Sequence, residues 1–119
     1  MYKSASCGCC AQWVKHIEAN GFQVQVFNEE AMDRIKDSMG VPSAVRSCHT
    51  AVVGKYLIEG HVPAPDIRKL LAENPKVLGL AVPGMPPGTP GMAKSDADAG
   101  GFTVLSFQSD GATRTFSEH

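Results

Sequence analysis

The chain of 119 residues lacks any long apolar run: Gly, Pro or charge interrupts every candidate well short of the roughly 20 residues that a bilayer-spanning helix needs. Insertion into a membrane is therefore not expected. It also lacks a basic stripe. The 11 basic and 12 acidic residues are spread along the sequence and leave a formal charge of −1, which offers no footprint for a phosphate backbone and argues against nucleic acid as a partner. Paired carboxylates, phosphate-cradling glycine loops and serine triads are missing as arrangements, and no internal repeat is evident. No export signal is visible, yet the chemistry begins as early as Cys7, so a targeting segment removed ahead of this numbering is an expectation. What is present is an uneven set of four cysteines: Cys7, Cys9 and Cys10 fall within four positions, and Cys48 stands apart, followed by His49. One domain spanning 1–119 is large enough to build a core without disulfide staples, which leaves those thiols available for chemistry.

The hydrophobic periodicity orders the elements. Met1-Tyr2-Lys3 reads as a short strand, and Ser4 to Gly8 as a turn leading into a helix whose Trp13, Val14 and Ile17 recur at helical spacing and whose C-cap is Gly21. Phe22, Val24 and Val26 alternate with polar residues as in a half-buried strand. A second helix is predicted from about Glu29 to Met39, with Met32, Ile35 and Met39 as its apolar stripe. Thr50 to Val53 and Tyr56 to Ile58, joined by Gly54-Lys55, read as a hairpin with Cys48 and His49 at its entrance. Pro63 and Pro65 then announce a third helix over Asp66–Glu73, with Ile67, Leu70 and Leu71 at helical spacing. The segment 83–101 is read as a Pro/Gly/Met loop and linker, and 102–116 as a terminal hairpin turning at Asp110-Gly111.

The order strand, helix, strand, helix, strand, strand, helix predicts an α/β protein of thioredoxin-like class, a central mixed sheet with helices on both faces, plus the C-terminal β-hairpin. In such a topology the start of the first helix and the entrance to the third strand approach each other, so Cys48 is expected to face the Cys7-Gly8-Cys9-Cys10 turn.

Thiols at a helix N-terminus sit in the positive end of the dipole, which favours thiolate. Cys7 and Cys10 have the spacing of a dithiol redox site, but Cys9 adds a third sulfur that would invite scrambling. Soft sulfur donors suit Cu(I), Zn(II) or iron–sulfur clusters. Adjacent Cys9 and Cys10 point apart and strain a single tetrahedral ion, whereas thiolates that bridge several Cu(I) ions tolerate that divergence. Met85 and Met92 are thioethers in a loop otherwise poor in side-chain chemistry, and thioether is a better ligand for Cu(I) than for zinc. His49 and His61 add imidazoles, which Cu(II) favours. The competing readings are a thiol–disulfide oxidoreductase using Cys7 and Cys10, and a structural zinc module. Plainer readings make Cys48 a buried structural cysteine, His49 and His61 hydrogen-bonded structural histidines, Met85 and Met92 loop anchors, and His16 and His119 solvated.

The blocks Tyr2-Lys3-Ser4, Cys7-Gly8-Cys9-Cys10, Trp13-Val14, Cys48-His49-Thr50-Ala51-Val52-Val53-Gly54, Glu59-Gly60-His61-Val62-Pro63 and Gly79-Leu80-Ala81-Val82-Pro83-Gly84-Met85-Pro86, with Gly88, Pro90, Gly91 and Met92, resemble small copper-resistance-associated proteins of the CopG type. The resemblance runs from the N-terminus to Met92, and the terminal hairpin is compatible with it. It implies a thioredoxin-like fold, an exported bacterial protein of the periplasm, copper bound through the cysteines, and a role in copper tolerance that includes cycling between Cu(I) and Cu(II). The expected metal ligands are thus Cys7, Cys9, Cys10, Cys48, Met85, Met92, His49 and His61, holding copper, in a multinuclear centre. The expected partners are copper ions and other copper-export or copper-resistance proteins.

Overall fold

The computed structural model describes residues 1–3, 8–42, 45–47, 49–83, 102–108 and 110–118, with the backbone alone described at Gly8 and Cys9. Among them run β1 (Tyr2–Lys3), α1 (Gly8–Ala19), β2 (Phe27–Asn28), α2 (Met32–Met39), β3 (Thr50–Val53), β4 (Tyr56–Glu59), α3 (Ala64–Glu73), β5 (Gly79–Ala81), β6 (Thr103–Phe107) and β7 (Thr113–Glu118). The strands form one mixed sheet in the order β2-β1-β3-β4-β5-β6-β7. β1 pairs parallel with β2 and β4 parallel with β5, and the other neighbours are antiparallel.

Local chemistry accounts for most of these boundaries. α1 buries Cys10, Trp13, Val14 and Ile17, one stripe at 3.6-residue spacing, and full burial of each such apolar side chain stabilises by about 1.5–3 kcal/mol. It ends where Gly21 takes a left-handed φ of 91°, a conformation that costs glycine little. α3 starts after extended Pro63, carries Pro65 in its first turn and stops at Asn74 in the αL region. Ile67 and Leu70 face its core side, but Leu71, read from the sequence as part of that face, is exposed.

The structure also departs from expectation at α2, β2 and β5. α2 begins at Met32 rather than near Glu29, and the most buried residue on it is Lys36, not a member of the Met32/Ile35/Met39 stripe. The strand expected from Phe22 shrinks to Phe27–Asn28, because the parallel ladder with β1 covers only Tyr2↔Phe27 and Lys3↔Asn28; Phe22 and Val24 pack on the core without a ladder of their own. β5 was not foreseen. Three residues are too few to show a period, and Gly79 is a poor strand former. It is nonetheless the strand that seats the terminal hairpin β6–β7 in the sheet instead of leaving it an appendage.

The two hydrophobic clusters lie on opposite faces of the sheet. Along the β3–β4 hairpin, Ala51 and Ile58 point into the cluster with α1 and α3, while Leu57 joins Val41, Val45, Ala81 and Phe107 in the other. That alternation is compatible with the expected thioredoxin-like arrangement. Glu59 shares the face of Leu57, and the consequences of that placement reach the site.

Candidate metal centre

The β3–β4 register brings two imidazoles together. Thr50 pairs with Glu59, and the ladder continues just beyond the strand ends, where the Gly60 N–H donates to the His49 carbonyl at 3.0 Å. His49 thus precedes β3 and His61 follows β4 at the same end of the hairpin, with ring centroids 5.4 Å apart. Cys10, in the first turn of α1, reaches the same place. Its Sγ and one nitrogen of each imidazole all lie within 4.8 Å of one another, and all three residues are fully buried. Trp13, one turn further along α1, closes the wall: its ring centroid is 4.4 Å from that of His49, and its Nε1–H donates to the Val62 carbonyl at 2.9 Å.

Donors that share one ion at bonds of about 2.0–2.3 Å stand about 3.3–4.5 Å from each other, so this group needs little contraction to hold a metal. Its chemistry is mixed. One soft sulfur and two borderline nitrogens suit copper or zinc and are foreign to the hard, oxygen-seeking cations. The Cys10 sulfur is held in a disulfide, so thiolate ligation by it requires reduction first.

Electrostatics keep His49 ready to ligate. Its pKa lies well below the ordinary 6.5, chiefly because burial disfavours the imidazolium, and then because His61, Lys36 and the N-terminal amino group add like charge; a hydrogen bond with the Gly60 backbone opposes them. The neutral ring is the ligand form.

Comparison with known proteins identifies the lineage. Two solved structures, titled "Copper resistance protein copG- Form 1" and "Form 2", each match at 43% identity and a TM-score of 0.89; the alignments cover 99% of this chain and 93% and 94% of theirs. The chain belongs to the CopG family. A sequence-family model described as "Protein of unknown function, DUF411" also matches residues 45–92 of this CopG-family chain. No curated protein matches it.

Of the eight ligands expected from the sequence, the structure brings together Cys10, His49 and His61. Cys7, Cys48, Met85 and Met92, and the side chain of Cys9, lie outside the described residues. His49, which follows Cys48 in the sequence, is in the group with Cys10. His16 is not solvated as expected: its Nε2 accepts the Ala64 N–H at 3.2 Å and caps α3, and partial burial lowers its pKa. Lys36, Thr50 and Glu59, none of them expected at the site from the sequence, form a buried polar network beside it. A signal was available, since Lys36 stands four residues after Met32 and three before Met39, spacings that put side chains on one helix face.

Proposed function

We propose that this CopG-family chain takes copper as its cargo in bacterial copper resistance. One observation carries the reading: a buried sulfur and two buried imidazoles converge within 4.8 Å, in a chain 43% identical to a protein titled as a copper resistance protein. In its finer form, Cys7, Cys9, Cys10 and Cys48 supply a thiolate core that bridges more than one Cu(I), His49 and His61 complete the coordination, and Met85 and Met92 cap it. Mixed sulfur and nitrogen donors serve both oxidation states. A redox step then balances simply: two thiolates each give one electron to a Cu(II), leaving two Cu(I) and one disulfide, and a dithiol reductant restores the thiolates. The disulfide at Cys10 is the form such a step would leave. The periplasm, and exchange of copper with other export or resistance proteins, follow from the family resemblance as parts of the same proposal.

The test is anaerobic titration of the reduced protein with Cu(I), with the bound copper counted and its ligands read by X-ray absorption. More than one copper per chain with sulfur-dominated scattering is expected. A clean one-to-one ratio under copper excess would remove the cluster, and no retained copper would remove the function.

The disulfide also favours a second reading, thiol–disulfide exchange through Cys7 and Cys10. It predicts metal-independent reduction of insulin that Cys10→Ser abolishes. Dithiol exchange has no use for two buried imidazoles beside the sulfur, which is why copper is preferred.

A further inference from the structure

Glu59 is fully buried in a strand, and its carboxylate is occupied on both oxygens. Oε2 accepts from Lys36 Nζ and, at 2.8 Å, from the Ser47 N–H; Oε1 accepts from the Thr50 hydroxyl, which itself accepts from Lys36 Nζ at 3.0 Å. Lys36 and Thr50 are buried as well. Stability alone gives no reason for this arrangement, because well-packed apolar side chains in place of a buried ion pair are often neutral or stabilising.

The partners of Glu59 explain it better. Ser47 immediately precedes Cys48, and Thr50 immediately follows His49, so one carboxylate grips both ends of the four-residue segment 47–50. Gly60, next along the chain, donates to the His49 carbonyl and lies so close to Ser47 that a Cβ there would stand 2.6 Å from its Oγ. His61 comes next and is one of the converging donors. Three consecutive residues thus clamp the segment, abut it, and supply an imidazole opposite it.

We propose that Glu59, charge-balanced by Lys36, is a positioning residue that, through Ser47 and Thr50, holds His49 in register with Cys10 and His61. The inference rests on the copper reading for its function, but the clamp itself does not. Lys36 crosses from α2 on the other face of the sheet, so it supplies the compensating charge without entering the site.

Two double variants separate the clamp from the ion pair. Lys36→Met with Glu59→Gln removes both charges and keeps a side-chain carbonyl and amide for Ser47 and Thr50. Lys36→Met with Glu59→Leu removes charge and clamp together. In metal-free protein, amide hydrogen exchange at 47–50 is expected to accelerate in the Leu variant alone. In the reduced proteins, competition with a colorimetric Cu(I) chelator is expected to show affinity about 10- to 100-fold lower for the Leu variant, with the Gln variant restored to within about threefold of the parent. A loosened segment with undiminished Cu(I) affinity overturns the inference, as does equal loss in both variants. If the parent itself binds no Cu(I), the copper reading fails while the exchange data still judge the clamp. Should the Leu variant not fold, Thr50→Val, which deletes one arm only, is expected to lower affinity about threefold, and parental affinity there also overturns it.

Discussion

The Trp13 indole is tilted by 43° against the His49 imidazole at 4.4 Å between ring centroids, and its N–H is spent on the Val62 carbonyl. The only tryptophan in the chain is therefore a wall of the candidate centre, held at fixed distance by a hydrogen bond to the segment that follows His61. Copper loading is expected to quench Trp13 emission in proportion to metal bound. Titration of Trp13→Phe should bind copper with no such change, and unaltered emission of the parent at full loading would place the metal elsewhere.

The metal-free protein should lose stability in acid beginning near pH 6.5. In the unfolded chain His49 takes a proton at its ordinary pKa, whereas the folded chain, with that pKa depressed, leaves it neutral until much lower pH. The unfolded state thus binds the extra proton, and stability falls with decreasing pH by up to about 1.4 kcal/mol per unit from this one group. Denaturant melts from pH 7.5 to 5 check it, and His49→Gln should flatten the slope.

Copper affinity should follow a different pH course. Thiols must release protons to bind, so affinity rises with pH, with no separate step near 6.5 from His49, which is already neutral there. His61→Gln is expected to weaken binding by more than about tenfold, since even outer supports of a metal ligand are worth that much. Competition titrations across pH and variant measure both, and a pH-independent affinity would speak against thiolate ligation.

Gly60 has a φ of 79°, and a Cβ on it would stand 2.7 Å from the Val82 carbonyl oxygen as well as against Ser47. Gly60→Ala combines an unfavourable backbone with a contact that cannot yield cheaply on the Val82 side. We expect a loss of more than about 1 kcal/mol in unfolding free energy, read by denaturant titration, together with weaker copper binding because the same residue bonds the His49 carbonyl.

Removal of metal should leave the fold standing. The two hydrophobic clusters bury Ile58, Leu80, Ile67 and Phe107, helix and sheet residues that are not among the converging donors. Far-ultraviolet circular dichroism before and after chelation of the reduced protein is expected to coincide. Unfolding on chelation would instead support a structural zinc module.

Helix stripes, the Gly54-Lys55 hairpin and the Pro-led start of α3 were legible because each is a local pattern whose physics acts over a few residues. So was the chemistry on offer: soft sulfur crowded at a helix start, with imidazoles beside the hairpin. β5 was not legible, because three residues carry no period and their pairing comes from β4 and β6, far along the chain.

Local order thus settled which elements form and which donors exist. Their meeting did not follow from it. His49 and His61 share a site because the β3–β4 register aligns Thr50 with Glu59, and Cys10 joins them because α1 packs its buried stripe on that face of the sheet. The buried Lys36–Glu59 pair belongs wholly to this second level. A lysine on one helix and a glutamate on one strand read as surface charges until packing takes both out of water, where each is tolerable only with the other beside it.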